Sequence, residues 1–183
     1  MQVIQHQELA STQASIEFTS IPQTYTDLCV VLSLRTNASA NNGALLYRLN
    51  GSTSGYSARI LWGNGSSTGS FAPTTETSAN ATGTWGRLAN IGTTDSGDTS
   101  NTFASLSFYL PNYTSGNAKS GSLDAVNENN ATAADQEIVA TLWTGTAAIT
   151  SVAFATYQGS FVQYSSATLY GVLKGSDGTT VVS

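Results

Sequence analysis

The segment Thr26–Arg35, TDLCVVLSLR, constrains the fold most, because its polarity alternates more regularly than elsewhere in the chain. A period of two residues indicates a β-strand with one face on a core. The predicted core face carries four apolar residues: Leu28, Val30, Leu32 and Leu34. The other face carries Asp27, Cys29, Val31, Ser33 and Arg35. Pro22 lies just before this strand and lacks an N–H donor, so the chain is expected to enter the strand from a turn.

Further short segments of this kind recur along the chain, with Gly, Asn or Pro between them. About ten short strands at such spacing predict an all-β sandwich or barrel. We expect one domain over residues 1–183, with an extended N-terminal segment at 1–10 and a polar tail at 175–183. Phe161–Tyr164 is predicted as a short strand. Gly63–Gly83 has no pattern and is predicted to be a long loop, a type of segment that often serves function or contact.

The composition excludes several classes of partner. Charged residues make up 9% of the chain, and the net charge is −5, whereas about a quarter of the residues are charged in typical domains. The six Lys and Arg residues are scattered, so we expect neither nucleic-acid binding nor a polybasic membrane contact. No apolar run reaches the roughly 18 residues of a membrane span, and the N-terminus does not resemble a signal peptide. Cys29 is the single cysteine and is predicted to be a buried side chain outside any disulfide.

Residues for catalysis or metal binding form no local motif. His6 is the single histidine, so the sequence lacks the set of residues that a catalytic triad or a zinc site usually needs. The acidic residues form no recognisable pair for glycoside hydrolysis. Two loops, Asp95–Asp98 and Asn127–Asn130, offer oxygen ligands for calcium, although solvated turns are the simpler interpretation. We therefore predict a protein that is not an enzyme and needs no cofactor or metal.

Three aromatic residues lie at predicted strand ends or turns beside polar loops: Trp62, Trp85 and Tyr113. Aromatic rings in such places form a contact between subunits, stack on sugars, or cap the core at the rim of the sandwich. The sequence leaves these three interpretations open.

Several segments together resemble small virion proteins of tailed bacteriophages, and the likeness runs over nearly the whole chain. These segments are SIPQTYTDL (Ser20–Leu28), NNG (Asn41–Gly43), YLPNY (Tyr109–Tyr113), ENNATAA (Glu128–Ala134), WTGTAAITSV (Trp143–Val152) and LYGV (Leu169–Val172). They are turn and core residues, so they carry no catalytic or ligand residue over to this chain. The resemblance implies a jelly-roll-like antiparallel β-sandwich, encoded among structural genes.

The resemblance also implies a function. The chain is expected to be a capsid decoration or cement protein on the outer surface of the phage head. It is expected to form a homotrimer and to bridge subunits of the major capsid protein. The N-terminal arm would reach a neighbour as an added strand, with Val3, Ile4 and His6 as contact residues. The alternative is a receptor-binding module of a tail fibre that recognises host surface glycans through Trp62, Trp85 and Tyr113.

Overall fold

The chain folds into a two-layer sandwich of antiparallel sheets, which confirms the prediction of an all-β sandwich. A computed structural model describes residues 1–39, 43–90, 92–128 and 134–173. These residues form thirteen strands, more than the ten or so expected. In chain order the strands are β1 (Gln2–Glu8), β2 (Ser15–Phe18), β3 (Asp27–Leu34), β4 (Leu45–Leu49), β5 (Tyr56–Gly63), β6 (Thr68–Phe71), β7 (Thr75–Thr77), β8 (Thr84–Ala89), β9 (Ala104–Leu110), β10 (Lys119–Glu128), β11 (Ala134–Trp143), β12 (Val152–Thr156) and β13 (Ser166–Val172).

The two sheets differ in width. The larger one has eight strands in the order β1-β13-β3-β9-β10-β11-β5-β6, and the smaller one has five in the order β2-β12-β4-β8-β7 among the described residues. Most neighbours in the larger sheet are distant in sequence, so its register depends on long-range pairing. The jelly-roll arrangement remains a prediction.

The strand β3, which the sequence singled out, lies inside the larger sheet between β13 and β9. Its alternation is confirmed, because Leu28, Val30, Leu32 and Leu34 are all buried in the core between the two sheets. Cys29 is also buried, as predicted. Facing rings fill the middle of the core, where Tyr47 and Phe154 both pack edge-on against Phe108.

The prediction of a long loop at Gly63–Gly83 is wrong. The segment contains β6, which pairs with β5, and β7, which pairs with β8. Residues 78–83 then fold over the outside of the smaller sheet, where the Ser78 hydroxyl donates to the Thr156 carbonyl at 2.7 Å. Small Gly, Ser and Thr side chains give such short strands little apolar periodicity, so pairing with a distant strand decides their conformation.

Two other sequence predictions change. Phe161–Tyr164 is not a strand, because Phe161 makes isolated bridges to Gln13 and Thr36 and the chain turns there. The predicted tail at 175–183 lies outside the described residues. Nowhere in the described part of the chain is there a helix with the length and hydropathy needed to cross a bilayer.

Candidate interaction surface

The outward-facing side of the larger sheet, which we call the outer face, is broad and nearly free of charge. Strand pairing aligns its side chains in rows. One row crosses all eight strands through His6, Thr168, Val31, Ser107, Asp124, Ile138, Leu61 and Ser70. A second runs through Glu8, Ser166, Ser33, Ser105, Val126, Gln136, Gly63 and Thr68. A third runs through Val3, Tyr170, Cys29, Tyr109, Ser122, Ala140 and Arg59.

Hydroxyl-bearing and small side chains dominate these rows, and their charged members are Glu8, Asp124 and Arg59. Neighbouring strands lie about 4.8 Å apart, so eight strands make a face roughly 34 Å wide. Three rows spaced about 6.8 Å apart span about 20 Å with their margins. The outer face therefore covers roughly 700 Å², close to the ~800 Å² that each partner contributes to a standard interface.

An apolar cluster on this face is centred on β11, and we call it the β11 patch. Ile138 and Leu61 lie directly opposite one another on neighbouring strands and are 58% and 59% exposed. Val126 and Leu142, each 39% exposed, extend the cluster along β10 and β11. Adjacent large apolar side chains that are this exposed mark a candidate interaction site rather than a scatter of single residues.

The sequence of β11 explains why this cluster exists. Ile138, Ala140 and Leu142 point outward, while Val139 and Trp143 point into the core. Apolar residues on both faces are typical of strands that are covered on both sides. Within the described residues, the outward side of β11 has no such cover.

A groove of about 740 Å³ opens on the β11 patch at the ends of β5 and β6, and Leu61, Val126 and Ile138 themselves line part of it. Trp62 lines it and is partly exposed, but its ring lies against the backbone of Gly69. A Cβ at position 69 would be 2.7 Å from Trp62 Cζ2. Asp135 also lines the groove, and burial there, helped by the negative charge of Asp98, raises the pKa of its carboxyl.

Trp85 is not a surface aromatic residue, which corrects its assignment as a contact or sugar-stacking group. It is buried beneath residues 78–83, and its indole N–H donates to the Thr82 carbonyl at 3.2 Å. The Arg48 guanidinium covers its ring, with Cζ 3.8 Å from the ring centroid. Arg48 also donates to the carbonyls of Thr82 and Thr84. This stack therefore holds the covering segment in place and leaves no ring face for a sugar.

Tyr113 is likewise fully buried, so the same correction applies to it. Its hydroxyl donates to the carbonyl of Pro22, and its own carbonyl accepts from the N–H of Ile149 at 2.9 Å. Burial raises the pKa of its phenol. Tyr113 thus fastens the turn before β3 to the core, so that of the three predicted aromatic residues Trp62 alone reaches the surface.

The N-terminal segment is the edge strand of the larger sheet and not a free arm, and its contact with a neighbour stays a prediction. β1 pairs with β13, and Ile4 packs against the core. Val3 is 54% exposed on the outer face. Nδ1 of His6, also exposed, lies 2.8 Å from the Thr168 hydroxyl.

Side chains of β1 also close one side of the sandwich. The Gln5 amide donates to the Thr19 carbonyl at 2.7 Å, and the Gln7 amide donates to the Glu17 carbonyl at 2.5 Å. These carbonyls lie along and just beyond β2, the edge strand of the smaller sheet. Side-chain amides therefore satisfy backbone acceptors that an unprotected edge would offer to another chain.

The Asp95–Asp98 loop is held by an arginine. The guanidinium of Arg35 donates to the carbonyls of Asp95 and Thr99, both at 2.8 Å, and to that of Thr102 at 3.0 Å. The Asp98 carboxylate accepts from the N–H of Asp95 at 2.8 Å. The Arg35 guanidinium thus occupies several backbone carbonyls of the loop, while the Asp95 and Asp98 carboxylates accept from N–H groups within the loop.

The second calcium candidate, Asn127–Asn130, lies partly outside the described residues. In the described ranges, no group of three or more His, Cys, Asp or Glu side chains is arranged to hold a metal ion. Glu137 is a buried carboxylate, but its Oε2 accepts from the N–H of Asn90 at 2.7 Å. Asn90 accepts in turn from Arg87, which pairs with Glu76 at 3.1 Å. These two carboxylates therefore join the sheets through a structural network.

Tyr109 and Asp27 form a hydrogen bond on the outer face. The phenol donates to Oδ2 of Asp27 at 2.7 Å, and Oδ1 of the same carboxylate accepts from the N–H of Asn112 at 2.8 Å. The hydrogen bond to the carboxylate, followed by burial, raises the pKa of Tyr109 to about 12. This pair stabilises the ends of β3 and β9, and the raised pKa keeps the Tyr109 phenol protonated near neutral pH.

A scan against protein-family models, a search of curated proteins and a search of solved structures each found no match to this chain.

The residues of the β11 patch were not among those that the sequence predicted. Their signal lay in IVATLW (Ile138–Trp143), where apolar residues occupy both faces of a strand, and in the adjacent apolar pair Ile60 and Leu61. Attention to polarity on the outward face of each strand would have found them.

Proposed function

We propose that this protein is a structural component of a tailed-phage particle. In the specific form that we favour, it is a decoration or cement protein of jelly-roll type on the outer surface of the head, where it bridges subunits of the major capsid protein. The observation that carries the proposal is the outer face of the larger sheet, which combines interface-sized area, low charge and the β11 patch.

Physical considerations support a role in assembly. A face of Ser, Thr and Ala side chains loses little side-chain entropy and desolvates few charges when another protein covers it. A particle-bound protein that contacts several subunits at once gains through multivalency, so each contact can be weak. A homotrimer would have three times as many contacts with capsid subunits as a single chain.

Particle composition tests the proposal. We expect mass spectrometry of purified particles to find the chain in many copies per capsid. We expect particles made without its gene to lose genome at a lower temperature than complete particles, because the clamp no longer opposes internal pressure. The proposal would be contradicted if complete particles do not contain the chain and if particles made without its gene withstand heat as well as complete particles do.

A second candidate function is glycan binding by a tail-fibre module. The specific observation in its favour is the groove on the β11 patch, where partly exposed Trp62 lies near Asp135 and Gln136. Sugars are recognised by aromatic rings together with such polar groups. A glycan array distinguishes the two candidates: binding by the wild type that Trp62→Ala abolishes favours the fibre module, and an array without hits favours the structural role.

A further inference from the structure

We infer that the β11 patch is covered by a second copy of this chain. The inference rests on the proposed structural role and adds to it the surface through which copies meet. Ile138 and Leu61 form the centre, and polar residues surround them: Ser70, Asp124, Gln136 and Arg59. An apolar centre with a polar rim is the usual anatomy of a protein–protein interface.

The area of the face favours a protein as the occupant. The patch extends over β10, β11, β5 and β6 and from Gln136 to Leu142. At the usual strand spacing and rise this is about 20 Å by 20 Å, or roughly 400 Å². Weak, reversible interfaces bury up to about 1,200 Å² in total, or about 600 Å² per partner, and the adjoining polar strands β9 and β3 bring the face to about that size.

The charges favour a copy of the same chain. Arg59 lies beside Ala140 on one flank of β11, and Asp124 lies opposite Ile138 on the other flank. The Arg59 guanidinium donates to the carbonyl of Ala58 at 2.8 Å, and within the described residues neither charge has an ion-pair partner. Each copy presents Arg59 and Asp124 on opposite flanks of the apolar centre, so a second copy supplies the opposite charge for both, and Asp135 lies at the Gln136 end of the patch.

Self-association of the purified protein tests the inference. Sedimentation velocity is run on the full chain at about 1 µM and about 100 µM, a range in which an interface of micromolar affinity changes from mostly empty to mostly occupied. We expect the wild type to form an oligomer in this range. Ile138→Lys inserts a charge at the apolar centre and should weaken association at least tenfold.

Val3→Lys provides the matched control. Val3 is a β-branched residue, 54% exposed on the same face, but β1 lies five strands from β11, about 24 Å away. We expect this variant to associate as the wild type does. Both substitutions replace exposed side chains, so circular dichroism and thermal melts should show both variants folded.

A charge swap identifies the occupant. Arg59→Asp and Asp124→Arg should each weaken association, and the double variant should restore it, because the charges at positions 59 and 124 are then again opposite in sign. A wild type that stays monomeric at about 100 µM, or an Ile138→Lys variant that associates as strongly as wild type, would overturn the inference. If monomeric wild type still binds purified capsid protein, the self-contact is refuted while the structural role stands.

Discussion

Replacing Arg35 by Met should destabilise the fold by about 3 kcal/mol, because its guanidinium holds the loop of residues 95–102 through backbone carbonyls. Three of its hydrogen bonds to backbone carbonyls are 3.0 Å or shorter, and each such bond contributes about 1 kcal/mol net. In a domain of this size that loss corresponds to a fall in Tm of roughly 6–12 °C. Met keeps most of the aliphatic stem, so packing changes little.

Urea unfolding followed by tryptophan fluorescence measures the effect, at a protein concentration of about 1 µM that keeps self-association low. Arg59→Met is the matched control, because that guanidinium donates to the carbonyl of the preceding residue, Ala58; we expect a change within about 0.5 kcal/mol. Arg35→Lys keeps the charge but not the planar fork, and it should recover only part of the loss. If Arg35→Met costs less than about 1 kcal/mol, the loop does not depend on this contact.

Three further predictions concern the core and the polar contacts around β3. Stability should fall as pH rises from about 10 toward 12, because Tyr109 holds its proton more tightly in the folded chain than in the unfolded one. Tyr109→Phe should make this fall shallower in urea titrations at pH values on either side of that range, and an unchanged slope would refute the assignment. Gly86→Ala should cost about 1–3 kcal/mol in thermal melts, because its Cβ would lie 2.6 Å from one core tyrosine ring and 2.7 Å from another; a neutral effect would show that the rings yield. Tyr113→Phe removes the hydrogen bond to Pro22 and should lower the urea midpoint by an amount equivalent to about 1 kcal/mol, whereas an unaltered midpoint would mean that the bond contributes nothing.

The sequence predicted the elements whose evidence is local. β3 alternates over its whole length because one of its faces meets the core, and the burial of its four leucine and valine residues follows directly. β6 and β7 could not be predicted in this way, because their Gly, Ser and Thr side chains show no period. They form through pairing with β5 and β8, which depends on the tertiary fold.

The candidate surface shows the same limit. Trp85 lies beside a polar segment in sequence, which favoured exposure, yet residues 78–83 fold back over it. The resemblance implied an N-terminal arm, whereas the segment pairs with β13, which begins more than 150 residues later. Ile138 is a partial exception to this limit. Alternation in β11 places Ile138 and Val139 on opposite faces, and the structure shows that Val139 is the one that faces the core.

A cryo-electron microscopy map of the intact phage particle tests the central claim most directly. The account predicts density for this chain on the outer surface of the head, with the outer face of the larger sheet covered and Ile138 of one copy buried against another copy. A map that shows no such chain on the particle, or that shows the β11 patch facing solvent, would contradict it.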